Sequence, residues 1–252
     1  MSPKRSNWQG LLAIMRFNWP YYAVSLALVF VAVLVMVRVA SLPLQILAFL
    51  FFAAACYFLF VSSAVSHWIY DRSDLYRWAW LRRALGDGES EAAIFCHSGF
   101  DEASVALQSL LQVKNWLVLD HYQPATMTEA SIRRARKLFP PTADTVACSH
   151  DCWPAKDGSF DLVFGILAIH ELRSEGERSA WFREARRCLR PGGRIILAEH
   201  LRDFANLLAF GPGFLHFHSR AGWRRSWVNA GCEVMDDFHV TPWVNIFILR
   251  SS

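Results

Sequence analysis

The chain has 252 residues, of which 54% are hydrophobic, and a net charge of +4. Its mean hydropathy is positive, a balance that argues against a wholly water-exposed protein and predicts a membrane segment. The modest positive charge gathers near the apolar stretches, which favours contact with anionic lipid; no nucleic-acid-binding motif is present.

Residues 21–37 carry no charge, and neither do residues 41–66. At about 1.5 Å rise per residue the second stretch easily crosses a hydrocarbon core of about 30 Å, and the first just does. Only Arg38 and a short Pro-containing link separate them, which predicts a tight helical hairpin. A second apolar run follows the first at once with no small-x-small cleavage site, and the run from Leu47 to Phe52 has no polar face. Both features argue against a signal peptide and against a buried soluble hairpin.

Lys4, Arg5 and Arg16 precede the first span, and Arg72, Arg77, Arg82 and Arg83 follow the second. The hairpin tip has Arg38 alone, so the charge bias predicts a two-span protein of the cell membrane with both termini cytoplasmic. Trp19, Tyr21 and Tyr22 on one side suit interfacial anchoring, as do Trp68, Tyr70, Tyr76, Trp78 and Trp80 on the other. Residues 66–83 are expected to lie along the headgroups as an amphipathic helix. The expected organisation is a cytoplasmic segment (1–19), two transmembrane helices (20–66), an interfacial segment and linker (67–90) and a soluble domain (91–252). Its boundary falls at the polar break Gly86-Asp-Gly-Glu-Ser90. Six cysteines show no paired zinc spacing and are expected to stay reduced.

Past the break, strand and helix patterns alternate. Strands are expected at 92–96, 116–120, 145–148, 162–167, 194–199, 233–239 and 245–250. Helices are expected at 102–112, 127–139, 175–189 and 220–230. Pro140-Pro141, Pro191-Gly192-Gly193 and Gly231 supply stop signals.

The most specific stretch is Trp153-Pro-Ala-Lys-Asp-Gly-Ser-Phe-Asp161, followed by Leu189-Arg-Pro-Gly-Gly-Arg194, with Ile169-His-Glu-Leu172 between them. In that order these motifs resemble the second half of class I S-adenosylmethionine (SAM)-dependent methyltransferases of the type 11 kind. The resemblance covers about residues 92–250. It implies an α/β fold, a Rossmann-like seven-stranded domain following the transmembrane helical hairpin, with SAM as cofactor.

Ligands of such sheets bind beyond the carboxyl ends of the strands. The family's first turn is a Gly-x-Gly-x-Gly-like run, whereas this chain reads Cys96-His-Ser-Gly-Phe-Asp-Glu102. Gly99 fills one glycine position, and His97 and Asp101 stand at the other two. Asp101 or Glu102 then either binds the amino end of SAM or favours the dipole at a helix start. The resemblance implies ribose binding by Asp120, with His121 beside it. It places Ser149, His150 and Asp151 near the adenine, and gives Asp161 and Phe160 the structural task of starting the fourth strand.

His170-Glu171 and Glu199-His200 follow the fourth and fifth strands and are the expected catalytic residues at the methyl acceptor. A histidine near neutral pKa can take the acceptor's proton. The bland readings are a helix cap for His170 and a sheet-edge pair for Glu199-His200. Residues 204–219 form either a lid over the acceptor or packing against the interfacial segment. His216 and His218 raise the histidine count, but without a His-x-x-x-His spacing no metal is expected.

The leading functional expectation is a membrane-anchored SAM-dependent methyltransferase acting on a hydrophobic or membrane-associated acceptor at the cytoplasmic face. A lipid, quinone, isoprenoid or hydrophobic small molecule would serve, with membrane lipids as partners. The alternative is a non-catalytic membrane protein that uses a degenerate methyltransferase fold for binding or assembly, for which the missing glycines argue. Binding of another nucleotide is a third reading, by fold analogy alone. Oligomeric state leaves no signal in the sequence.

Overall fold

The computed structural model describes residues 5–86 and 90–252. The start of the chain, Lys4 included, and most of the proposed linker therefore lie outside the described residues. Helix α1 (Gln9–Phe17) leads into α2 (Trp19–Arg38), and α3 returns as one helix, Leu42–Arg72, with π-type turns at Phe58–Ser62 and Trp68–Arg72. The hairpin tip is closed by Gln45, whose side-chain amide donates to the Val39 carbonyl at 2.8 Å. Helices α2 and α3, of 20 and 31 residues, are long and apolar enough to cross a membrane. Only 6% and 11% of their most apolar windows are buried, unlike a soluble core helix.

Helix α1 is tied to the end of α3. The Asp71 carboxylate accepts the first-turn N–H groups of Gly10 (2.6 Å) and Leu11 (3.0 Å), which satisfies helix donors and complements the dipole. The helices approach so closely that a Cβ on Gly10 would stand 2.3 Å from the Tyr70 Cβ. On its other side α1 packs Ala13 and Phe17 against Phe100 and Ala135 of the soluble domain.

The segment after α3 departs from expectation. The predicted interfacial helix over 66–83 is absent; α3 runs on to Arg72, and the chain then folds back through a short helix α4 (Leu81–Leu85). Trp78, Trp80, Leu81 and Ala84 pack into the domain core against Ala93, Phe95 and Phe164. These tryptophans are therefore core residues, because the sheet face beneath them would otherwise be left open to water. Trp68 and Trp19 remain exposed.

Seven strands follow: β1 (Ala92–His97), β2 (Asn115–Asp120), β3 (Thr145–Ala147), β4 (Phe160–Ile166), β5 (Leu189–His200), β6 (Cys232–Thr241) and β7 (Val244–Ser251). Their order in the sheet is β3-β2-β1-β4-β5-β7-β6, and only β7 runs antiparallel to its neighbours. β1, β4, β5 and β7 are almost wholly apolar where they pair, as strands covered on both faces must be. The helices are α5 (Ser104–Leu111), α6 (Ala130–Leu138), α7 (Glu175–Cys188), α8 (Phe204–Phe210) and α9 (Arg220–Val228). Asp161 ties the start of β4 to β1 by accepting the N–H groups of Glu91 (2.8 Å) and Ala92 (2.9 Å). β5 begins at Leu189, so Pro191-Gly192-Gly193 lies within an irregular strand start instead of before it.

Candidate functional site

The strand order reverses between β1 and β4, and the residues after these strands surround two cavities. One, of about 110 Å³, is lined by His97, Gly99, Asp101 and Glu102 together with the loop from Phe139 to Thr142. The other, of about 790 Å³, lies over the ends of β1, β4 and β5. Its floor includes Ser98, Ala168, His170, Glu171 and His200, while Phe17, Tyr21 and Tyr22 of α1 and α2 wall its far side.

The altered first turn keeps one glycine for a clear reason. Gly99 has φ +93°, and a Cβ there would meet the Tyr122 ring at 2.9 Å. Asp120 holds this turn from below. Its Oδ1 accepts the N–H groups of Gly99 (2.9 Å) and Tyr122 (3.0 Å), and its Oδ2 pairs with Arg136. The carboxylate is 2% exposed and lines neither cavity. His97 lies 3.5 Å away, and burial pushes its pKa down, with Asp120 and Asp101 opposing. Asp101 accepts the N–H groups of Ala103 (3.0 Å) and Ser104 (2.9 Å), so it caps the start of α5. Glu102 instead faces both cavities and pairs with Arg5 at 2.7 Å. Burial raises its pKa, against the pull of Arg5.

Three expected adenine contacts and His121 stand apart from the cavities. His121 is buried, stacked on Trp153, and burial pushes its pKa down to about 4. Ser149, His150 and Asp151 form a turn in which Ser149 bonds to Asp151 and the His150 carbonyl accepts from Trp153 at 3.1 Å.

The expected catalytic residues converge. Glu199 is wholly buried under the short helical turn Ile169–Glu171, where its Oε1 accepts the N–H groups of Ile169 (2.9 Å) and His170 (3.1 Å). Its Oε2 lies 2.6 Å from His170 Nδ1. Burial disfavours charge on His170, but Glu199 and Glu171 more than offset it and raise its pKa to about 10. The ring is thus protonated at neutral pH, contrary to the expectation of a base with near-neutral pKa. Burial would also raise Glu171, yet His170 and His216 bring it down to about 2. His200 has both nitrogens engaged, with Nδ1 2.9 Å from the Trp243 carbonyl and Nε2 2.8 Å from the Tyr70 hydroxyl. Burial lowers its pKa to about 4.

Arg5, Tyr70, Tyr122, Glu129, Arg136 and His216 were not among the expected site residues. Arg136 lies in the helix expected at 127–139. Tyr70 and His216 come from segments 130 and about 45 residues distant from the groups they meet, with no spacing to flag them.

Residues 108–197 match the methyltransferase domain family, a span from α5 through most of β5. Over that stretch, a little more than a third of its length, the chain is similar to methyltransferase domains. That family match begins after β1 and its turn, so the altered glycine run lies outside it. A SAM-dependent methyltransferase from Aquifex aeolicus has the same fold, with TM-score 0.52, 14% identity, and coverage of 70% of this chain and 90% of that one. One from Methanosarcina mazei gives 0.50 and 14%, covering 69% and 97%. The [4+2]-cyclase SpnF gives 0.50 and 15%, covering 72% and 82%, so the fold also carries other chemistry. A 48-residue stretch is 44% identical to a reducing polyketide synthase from Penicillium, of whose length this chain spans only about 2%.

The solved methyltransferases of this fold are SAM-dependent, and the residues here fit the two ends of SAM unequally. At the turn, Ser98 Oγ and both His97 nitrogens are buried without a partner among the described residues. With the Glu102 carboxylate they form a polar cradle beside the larger cavity that suits the amino-acid end. At the adenosine end, Tyr122 covers Gly99 and Arg136 occupies Asp120. Arg136 must swing away before Asp120 Oδ2 can accept a ribose hydroxyl.

Proposed function

We propose that this protein is a membrane-anchored methyltransferase whose acceptor is a hydrophobic molecule reaching the site from the lipid phase. The carrying observation is the composition of the larger cavity. One wall is the reactive end of the sheet, with His170, Glu171 and His200; the other is α1 and α2, including Tyr21, Val24 and Ser25 of a helix apolar enough to cross a membrane. Phe58, Phe95, Phe100, Phe210 and Phe217 make most of the remaining lining apolar. Anchor and pocket are thus continuous, and confinement to one surface raises the effective concentration of acceptor at the enzyme.

Bound at the turn, SAM supplies a methyl group already activated by its sulfonium, so the protein's task is mainly positioning. Ser98 and Glu102 hold the amino-acid end, and Asp120 the ribose. Glu199 fixes the His170 ring, and His170 with Glu171 presents hydrogen-bonding groups to the acceptor. The cytoplasmic face is the side that the flanking arginines support.

The occupied Asp120 favours a second reading, a binding protein without turnover. Calorimetric titration of the full chain in nanodiscs with SAM and S-adenosylhomocysteine separates the two. Binding of both, followed by labelled methyl transfer to an apolar lipid extract, is the expected result. Absence of binding to either by folded protein overturns the enzyme reading. Equal transfer to short, water-soluble acceptors would overturn access from lipid.

A further inference from the structure

We propose that His170, Glu171 and His216 form a divalent transition-metal site at the floor of the larger cavity, with an open position for an oxygen donor of the acceptor. His170 and Glu171 are adjacent in the turn after β4, and His216 ends the turn Gly211–His216 after α8. Glu171 Oε1 stands 3.5 Å from His170 Nε2 and 3.3 Å from His216 Nε2, and all three ligand atoms lie within 4.8 Å of one another. Ligands about 2.1 Å from a tetrahedral ion are about 3.4 Å apart, a length that the two Glu171–histidine edges match.

The groups behind the ligands strengthen the assignment. His170 Nδ1 lies 2.6 Å from Glu199, and His216 Nδ1 lies 2.9 Å from Glu129. Each histidine therefore gives its Nδ1 proton to a carboxylate and turns its Nε2 lone pair to the same point. That carboxylate–histidine arrangement orients metal ligands and raises their basicity. Both Nε2 atoms face the same Glu171 oxygen, and the two imidazole rings stand with centroids 5.1 Å apart.

Two imidazoles and one carboxylate suit Zn²⁺, Fe²⁺ or Co²⁺ better than Mg²⁺ or Ca²⁺, which favour all-oxygen sites. Three protein ligands leave a coordination position facing the cavity, which His170, Glu171, His216 and Glu129 all line. An ion there draws in an acceptor hydroxyl or phenol and lowers its pKa, so the inference narrows the acceptor to an oxygen compound. This last step rests on the methyltransferase reading; the metal site itself does not.

The test is titration of the full chain, stripped with EDTA in detergent micelles, with Co²⁺ followed by visible absorption. The expected result is one Co²⁺ per chain with d–d bands, displaced by Zn²⁺. Glu171→Gln and His216→Ala should abolish the bands, while Glu129→Gln, which keeps all three ligands, should weaken binding about 10–100-fold. The control His150→Ala, in a turn that lines neither cavity, should bind as the parent does. No band at saturating Co²⁺, or bands that persist in both ligand variants, would overturn the site. Cobalt binding needs no added SAM: a chain that binds Co²⁺ but fails to bind SAM sinks the methyltransferase reading alone, and one that binds SAM but not Co²⁺ sinks the metal site alone.

Discussion

The Tyr70 hydroxyl, near the end of α3, lies 2.8 Å from His200 Nε2 at the end of β5. Because His200 Nδ1 faces the Trp243 carbonyl at 2.9 Å, that nitrogen carries the proton, so Nε2 accepts and Tyr70 donates. A membrane-length helix and the carboxyl end of β5 therefore share one half-buried hydrogen bond. Tyr70→Phe should cost about 1–3 kcal/mol, since it leaves a buried acceptor without a partner. Denaturant unfolding in micelles measures this, and a double-mutant cycle with His200→Gln should recover most of it as coupling. Coupling near zero would mean that the anchor and the sheet are energetically independent.

The two sets of tryptophans should behave differently. Trp80 is buried in the domain core and its Nε1–H donates to the Leu75 carbonyl at 3.0 Å, so Trp80→Ala should destabilise by about 3–5 kcal/mol. Trp68 is exposed, and Trp68→Ala should leave unfolding nearly unchanged while reducing partition into vesicles. Equal loss of stability in both variants would contradict the folded-back arrangement of residues 73–85.

Asp120 and Arg136 give opposite expectations for cofactor binding. Asp120→Ala removes the acceptor of two backbone N–H groups and of the proposed ribose contact, and should weaken SAM by about 1–3 kcal/mol. Arg136→Met frees Asp120 from a partly exposed ion pair worth about 1 kcal/mol, so S-adenosylhomocysteine should bind about fivefold tighter. Weaker binding in Arg136→Met would instead make Arg136 a cofactor contact.

Acid should destabilise the domain through His121. Its folded pKa of about 4 lies below the ordinary 6.5 because burial disfavours the charged ring. The unfolded chain then takes the proton first. Stability is complete above pH 6.5 and falls between pH 6.5 and 4, by at most about 3 kcal/mol from this residue. His121→Phe keeps the stack on Trp153 and should flatten that part of the pH–stability curve. An unchanged slope would show that His200 and His218, which burial also lowers, to about 4 and about 3, carry the effect.

Much of the architecture was legible along the chain. Apolar runs bounded by Pro and Gly mark all seven strands, with ends within a few residues, because strand burial and turn chemistry are local properties. The two long apolar helices were legible for the same reason. The aromatic segment 66–83 was misread, since amphipathic aromatics look alike whether they meet lipid or a sheet face. Trp78 and Trp80 differ from Trp68 only in what the fold brings against them.

The sequence by itself determined the βαβ alternation, the pair of apolar helices and the presence of His170-Glu171 and Glu199-His200 at the ends of β4 and β5. Tertiary structure alone decided that Glu199 lies beneath His170, that Arg136 occupies Asp120, and that His216 meets Glu171 from 45 residues away. The physical reason is that periodicity reports which face of an element is apolar. Hydrogen bonds and ion pairs between elements depend on distances of a few ångströms that are set only when those faces pack.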